Sequence, residues 1–501
     1  MYSMDNKRTK TIHIIILVGI LIAGFALRVA YLTADRFHAD EALYAGWALL
    51  IWDGDPLLLS VPVDKPPLFL YLLAGSMRLF GSSEAAARLP ALVASMLGLA
   101  LTYRLGKRLY GRSTGLWAAF WLACCPFDVL FARTAFTDSM LVAWTLAALC
   151  LVVEGRWFWA GICLGLAFAT KQHAVLLIPL VVAVGLMTVA RRAKRGGRTA
   201  GKLILAGLGF ALPFALVTWW DAARWDVRPG YWQQSAMSYG GLTWAAGADW
   251  GERLVEWLGW ARYLTGSTLL NALLLAGVCV LLWCGWRRRD RLLWIDALWG
   301  CFILVYLVFH IVLRFSIWDR YLLPLAVPVS LLLARVMGVS VVWMQRKPRW
   351  ARAAVVALVC LAALSGGLRA AVNGYPVGGE HWAYQGLDEV AVYLRQRAAP
   401  DAVLYHHWLR WHYTYYLHDT SFELRWWRDG LHLRQEAGRT APDREQYIVL
   451  PDWRTLEPAA EGVCFHPVLE TRRGDGSVSL VLYRLQVAPQ ETALVAGACE
   501  E

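Results

Sequence analysis

The chain has 501 residues, of which 58% are hydrophobic and 17% charged, with a mean hydropathy of +0.43. That balance excludes an ordinary soluble domain and fits a polytopic membrane protein, because several apolar runs approach the roughly 20 residues a helix needs to cross a bilayer. A formal net charge of +12 would suit a nucleic-acid binder, but Lys and Arg sit in short clusters between apolar runs, where they report topology.

The first apolar run, 11–31, follows Lys7, Arg8 and Lys10. It is long and lacks a small-residue cleavage site, so a first span is expected and not a removed signal peptide. Ten more runs follow at 89–106, 114–131, 139–154, 157–170, 174–190, 203–220, 267–286, 293–313, 321–344 and 353–368, giving an expectation of about 11 transmembrane helices. A twelfth stretch, 66–80, is about 15 residues long and carries Arg78, short for a span. Charge parity argues against its crossing. Without it, Lys107/Arg108/Arg112, Arg191/Arg192/Lys194/Arg195/Arg198, Arg287/Arg288/Arg289/Arg291 and Arg346/Lys347/Arg349/Arg352 all fall on the cytoplasmic side with Lys7 and Arg8.

Residues 34–88 then form one long outer loop with interfacial juxtamembrane helices. Within it Leu43, Trp47, Leu50 and Ile51 recur at helical spacing and predict an in-plane helix over 41–52; a helix packed on the outer face of the bundle would show the same pattern. The same parity places Asp40, Glu41, Asp64, Lys65, Arg88, Arg133, Asp138, Lys171, His173, Arg314, Asp319 and Arg320 at the outer side. A second long outer loop, 221–266, is rich in Trp, Tyr and Gly and is expected to be a lid or interfacial element.

The membrane domain is bounded at 1–370, and 371–501 has ordinary soluble composition. Periodicity there predicts helices over 387–397 and 409–417 and strands over 402–406, 446–450 and 477–485, a small outer α/β domain. Its aromatic density at His406, His407, Trp408, Trp411, Tyr415, Trp426 and Trp427 could bind carbohydrate, but packing on the membrane domain is the preferred reading. Cys124, Cys125, Cys150, Cys163 and Cys301 lie in apolar runs as small core residues, whereas Cys464 and Cys499 fall in the tail, where an oxidising compartment would let them pair.

Two segments stand out chemically, HADEALY at 38–44 and VDKPPL at 63–68. Ionisable groups at a bilayer edge cost free energy unless compensated, so a cluster of both signs there marks a functional site acting on an anionic, membrane-held substrate. The plain alternative for Asp40 is a cap on the helix that follows it, and for Asp138 a cap or a pair with Arg133. Arg320 could pair with Asp319, and Arg88 and Arg314 suit interface anchors.

The ordered set DE (Asp40, Glu41), DKPP (64–67), ARLP (87–90), RTAFTD (133–138), Lys171 and DRYLLP (319–324) resembles the GT-C glycosyltransferases, especially the aminoarabinose-transferase and protein O-mannosyltransferase branch, over roughly residues 28–328. The resemblance implies a transferase that moves a monosaccharide from a polyprenyl-phosphate carrier to a glycolipid, glycan or protein acceptor on the outer face of a membrane. It implies Asp40 as general base, Glu41 as its orienting or sugar-binding neighbour and Asp138 as a second catalytic carboxylate. Lys65 is the first choice for the cation facing the phosphate, with Lys171, Arg320 and Tyr321 as further phosphate-holding groups. Asp138 stands alone and not in a D-x-E pair, which argues against an essential divalent metal, and no cofactor is expected. Leu43 stands where close aminoarabinose-transferase relatives carry an arginine, and Asp64 where they carry glutamate, so the donor sugar is left open. A transporter or a non-catalytic binding protein for lipid-linked sugars is the competing class, but transporters place charges near the midplane and show repeats, which this chain does not. With no organelle-targeting segment, a bacterial inner membrane is the expected location.

Overall fold

The structure, a computed structural model, describes residues 2–192, 199–239, 243–290, 292–452 and 462–487. It divides into two compact units, Met1–Leu32 with Ile51–Gly378, and Thr33–Leu50 with Gly379–Glu501.

The first unit is helical. Among the described residues eight helices are long and apolar enough to cross a membrane: Lys10–Val29, Glu84–Tyr110, Gln172–Arg191, Thr199–Ala222, Thr268–Arg288, Leu293–Val312, Asp319–Arg346 and Arg349–Ala371. All eleven apolar runs fall on helices, but three of them yield shorter ones, Arg112–Ala123, Asp138–Glu154 and Trp157–Thr170. The local sequence explains this. The run 114–131 breaks at Cys124 and Cys125, because Pro126 holds the residue before it extended and opens a separate short helix, Pro126–Phe131. Gly155, at φ +85°, ends Asp138–Glu154 with the left-handed cap that glycine adopts without strain. The stretch at 66–80 forms the 14-residue helix Pro67–Phe80, with proline at its start, where the missing N–H has no partner to lose.

Small residues bring helices into backbone contact. A Cβ added to Gly161 would sit 2.0 Å from the Ala206 carbonyl oxygen, and one on Gly209 2.1 Å from that of Phe158, so Trp157–Thr170 and Thr199–Ala222 touch along glycine faces. Buried arginines lock other elements. Arg133 donates to the carbonyls of Ala30, Ala370 and Ala371 and to Asn373 Oδ1 at 2.6–2.8 Å. Arg224 donates to the carbonyls of Leu58 and Val61, fastening the connection before Pro67–Phe80 to the one after Thr199–Ala222. Arg88 is buried and donates to the Leu32 carbonyl at 2.7 Å, which makes it an internal tie and not an exposed interface anchor.

The second unit holds a mixed five-stranded sheet built from β1 (Val403–His406), β2 (Glu423–Trp426), β3 (Gln446–Pro451), β4 (Val463–Arg472) and β5 (Val478–Val487), in the order β2-β1-β3-β5-β4. The three strands β2, β1 and β3 run parallel, and β5 pairs antiparallel with β3 and β4. Alternation along β1 divides the core. Leu404 packs with Leu387, Val390, Leu394 and Tyr413 on one face, and Val403 and Tyr405 pack with Leu433 and Ala437 on the other. Helices therefore cover both faces, as parallel strands require. The Ala39–Trp52 helix, all but its last two residues in this unit, lies on Arg410–Tyr416. Trp47 is buried with its ring 6.0 Å from that of Trp411, Phe37 is 4.6 Å from Tyr415, and His412 Nε2 donates to the Phe37 carbonyl. Cys464 is disulfide-bonded, and Cys499 lies outside the described residues.

Candidate active site

Within the first unit the chain brings together five segments that are far apart in sequence. Asp64 and Lys65 precede Pro66, which is extended, and Pro67, which opens a helix. Lys65 Nζ lies 3.1 Å from Asp64 Oδ2 and 4.5 Å from the centre of the Tyr239 ring, and the Tyr239 hydroxyl donates to the same Asp64 oxygen at 3.0 Å. Gln172 spans the gap to the second segment, donating to the Asp64 carbonyl at 3.3 Å and to Ser235 Oγ at 2.9 Å.

Lys171 is the extended residue that ends Trp157–Thr170. Its Nζ lies 2.6 Å from Asp138 Oδ1 and 4.6 Å above the Tyr321 ring, with both charged side chains almost fully buried. Asp138 is the first residue of its helix, where the free N–H groups and the dipole favour a negative charge. Its carboxylate pairs with Lys171, while Arg133 donates to the carbonyls of Ala30, Ala370 and Ala371 and to Asn373 Oδ1. Arg320 places its guanidinium over Phe136 at 4.8 Å and Trp318 at 5.2 Å. Asp319 turns to the backbone, accepting from the N–H groups of Arg320 and Gly378. The Tyr321 carbonyl is held by the Tyr306 hydroxyl at 2.7 Å. Lys65 and Arg320 are both near enough to act on the charge of Lys171, so the three cations share one neighbourhood.

Sequence reasoning had not assigned roles to three members of this cluster, Gln172, His173 and Tyr239. The buried His173 ring lies 4.4 Å from Tyr321 and 6.4 Å from Tyr239, and its Nε2 has no hydrogen-bond partner. Asp64 Oδ1 and Gln172 Oε1 are likewise buried and unpartnered. The signal for His173 was available, since it sits two residues after Lys171 at the mouth of an apolar span. Tyr239 carried none, being one aromatic among many in the long connection 221–266.

The helices Pro67–Phe80 and Asp138–Glu154 that start at this cluster also wall, with Glu84–Tyr110, an apolar cavity of about 500 Å³ lined by Tyr71, Leu72, Leu79, Val93, Leu97 and Trp144 among others. A polar cluster of both signs thus adjoins a groove fit for hydrocarbon. Among the described residues no group of three or more His, Cys, Asp or Glu is arranged to hold a metal ion.

Asp40 and Glu41 belong to the second unit. Glu41 Oε2 accepts from the His38 backbone N–H at 3.0 Å while the His38 carbonyl accepts from Ala42, which makes Glu41 the reciprocal partner of a capping box. The Asp40 backbone N–H donates to His38 Nδ1 at 3.1 Å, His38 Nε2 lies 3.8 Å from Glu380, and the Tyr384 hydroxyl donates to Glu380 at 3.3 Å. Burial, then the charges of Glu380 and Asp40, push the Tyr384 hydroxyl up from its ordinary value, so it stays a donor.

Comparison with known proteins places these features in a family context. Residues 64–220 match the family described as dolichyl-phosphate-mannose-protein mannosyltransferase. The undecaprenyl phosphate-alpha-4-amino-4-deoxy-L-arabinose arabinosyl transferase 1 of Pseudomonas fluorescens is 27% identical over 322 residues, 60% of this chain and 53% of that one, so the chain spans about half the length of this relative. ArnT from Cupriavidus metallidurans, solved bound to undecaprenyl phosphate, superposes with a TM-score of 0.66 at 15% identity over 97% of this chain and 99% of that one. The Archaeoglobus fulgidus oligosaccharyltransferase superposes with a TM-score of 0.54 at 12% identity over 93% and 74%. The chain has the ArnT fold, and the resemblance to GT-C glycosyltransferases carried by its motifs holds in sequence and in fold.

Proposed function

We propose that the chain is an integral membrane glycosyltransferase that moves a monosaccharide from a polyprenyl-phosphate carrier to an acceptor hydroxyl or amine on the outer face of a bacterial inner membrane. The observation that carries this is the buried polar cluster of the first unit. Lys171 has one carboxylate partner for its three N–H groups, and Asp64 Oδ1, Gln172 Oε1 and His173 Nε2 have none, all among the described residues. Buried polar groups without partners are costly in a protein and more so in a membrane, and they are retained where a ligand completes them. A phosphate with hydrocarbon attached matches both the cluster and the apolar cavity beside it. ArnT, whose fold the chain has, is known bound to undecaprenyl phosphate.

In this reading Lys65, Lys171 and Arg320 hold the donor phosphate and stabilise the charge it gains as the bond from the sugar C1 to phosphate oxygen breaks. Tyr321 carries Lys171 on its ring, and Asp138 fixes that ammonium in place. Asp40 takes the acceptor proton as the acceptor atom bonds to C1, and polyprenyl phosphate leaves. Glu41 fixes the backbone that presents Asp40. The outer placement is supported by the charge parity of the loops and by the disulfide at Cys464, a bond characteristic of oxidising compartments. On this reading residues 1–370 form the catalytic membrane domain, with about eleven spans, and 371–501 the extracytoplasmic domain.

The test is transfer from a panel of radiolabelled polyprenyl-phosphate monosaccharides by the purified chain in nanodiscs, with a total membrane extract as acceptor. Wild type is expected to move label from one donor, and Asp40→Asn to bind that donor and transfer nothing. A fully active Asp40→Asn protein removes the base assignment, and no transfer from any donor removes the enzyme reading.

A further inference from the structure

The parallel part of the tail sheet ends in a crevice. His406 and Trp426 are paired in register as the last residues of β1 and β2. From β1 the chain continues into Arg410–Tyr416, whose Tyr413 packs in the core on one face of the sheet. From β2 it continues into Gly430–Arg439, whose Leu433 and Ala437 pack in the core on the other face. The strand order β2-β1-β3 reverses at β1, and ligands of α/β proteins bind in the crevice at the carboxyl ends of the strands beside such a switch point, here β1 and β3.

The residues in that cleft are aromatic and polar together. His407 lies at the centre, 4.2 Å from Trp408, 5.5 Å from Trp427 and stacked 6.2 Å from Trp426, while Trp426 is 5.5 Å from His432. Trp408 and Trp426 are 48% and 50% exposed, whereas Trp427, at 5%, belongs to the core of this unit. His407 is oriented by its Nδ1, which donates to the Trp427 carbonyl at 2.8 Å. Asp429 is fixed by the His432 backbone N–H and by Arg428 Nε. Beneath them a cavity of about 10 Å³, lined by His406, His407, Trp408 and Trp427 among others, has room for about one water. His406 is 4% exposed and its Nδ1 has no hydrogen-bond partner.

We propose that this cleft is a carbohydrate-binding site that takes a pyranose ring of a glycan. A pyranose presents a face of C–H groups and a rim of hydroxyls, and the cleft offers both complements. The exposed indoles of Trp408 and Trp426 cover the apolar face. His407, Asp429 and His432 meet the rim, and a hydroxyl or a trapped water satisfies the buried His406 nitrogen, which otherwise carries the cost of an orphaned polar group. A bilayer surface would accept the two indoles but would leave that buried nitrogen unanswered, so the glycan is favoured. None of these residues is among those assigned to sugar transfer, and the inference stands without the transferase reading.

The full chain in nanodiscs is titrated by saturation-transfer-difference NMR with a panel of soluble glycans: a glucosamine disaccharide, mannose oligosaccharides and peptidoglycan fragments. Wild type is expected to bind one class, and Trp408→Ala and Trp426→Ala each to weaken it at least 10-fold with unchanged melting temperature, as suits exposed side chains. His406→Phe, which fills the position without a nitrogen, is expected to weaken binding less than either. Glycan binding that survives both tryptophan changes, or no binding by wild type to any member of the panel, overturns the site. Donor turnover, measured in parallel, is expected to be unaltered with a small soluble acceptor, and its absence in wild type would count against the transferase reading alone.

Discussion

Two buried ion pairs in the first unit are made from the same chemistry and finished differently. Arg28 pairs with Asp128 and also donates to Ser95 Oγ and to the carbonyls of Gly24, Leu122 and Ala123, while Ser95 in turn donates to Asp128. Lys171 pairs with Asp138 and has a single hydrogen bond and a ring beneath it. The first pair is saturated, the mark of a charge that holds helices together. The second leaves donors unspent beside three other unpartnered polar atoms. In a low-dielectric interior that difference is large, because each missing partner leaves desolvation uncompensated. Saturation separates structural charge from charge kept ready for a ligand.

The comparison can be broken most directly through stability. Arg28→Ala strands one carboxylate, one hydroxyl and three carbonyls, and is expected to cost about 3–5 kcal/mol, seen as the largest fall in melting temperature of any single change discussed here. The double change Lys171→Gln with Asp138→Asn removes both charges of the other pair at once, which leaves no lone buried ion. It is expected to keep the melting temperature near wild type while donor turnover falls about 100-fold, the range for removing one preorganised electrostatic group. If the neutral pair melts as early as Arg28→Ala, the two ion pairs are alike and the distinction fails.

The sequence carried much of this. Apolar length located every long helix of the first unit, and the odd position of charges between apolar runs picked out Lys65, Asp138, Lys171 and Arg320, with Tyr321 added by the family resemblance; the fold gathers these into one neighbourhood. Partnering was not legible: whether Asp138 meets Arg133 or Lys171 depends on helix packing, and Arg28, a charge inside the first span, gave no sign of its saturated network. In the tail, β2, β4 and the helix Gly430–Arg439 were missed for local reasons. Glu423–Trp426 is a four-residue edge strand with two charges, β4 has a mixed burial pattern, and Gly430–Arg439 begins at glycine behind an Asp429 cap. Such elements are formed by the sheet and helices they join more than by their own periodicity.

A finer test uses His173. If its Nε2 waits for the donor, His173→Phe keeps the ring contacts with Tyr321 and Tyr239 and removes an orphaned nitrogen, so stability should hold or rise slightly. Donor turnover is expected to fall about 10-fold, roughly the 1.4 kcal/mol of one hydrogen bond to a charged group. A loss confined to acceptor KM, with donor binding unchanged, would move His173 out of the phosphate site.

The smallest effect lies in the second unit, at His412, whose Nε2 is bonded and whose Nδ1 has no partner. It is buried, donates to the Phe37 carbonyl and stacks at 4.4 Å on Tyr384. Burial pulls its imidazole down to about 4 from an ordinary 6.5, with His38 adding to the shift. Between those values the unfolded chain binds a proton that the folded one refuses, so the stabilisation is complete above pH 6.5 and is lost as pH falls towards 4. The slope is about 1.4 kcal/mol per pH unit for this one group. Hydrogen exchange on the full chain is expected to quicken in Arg410–Tyr416 and in Ala39–Trp52 between pH 6.5 and 5.5, and His412→Gln to flatten that dependence. Exchange that quickens in the first unit first would mean that its unspent polar cluster, and not this buried histidine, sets the acid limit.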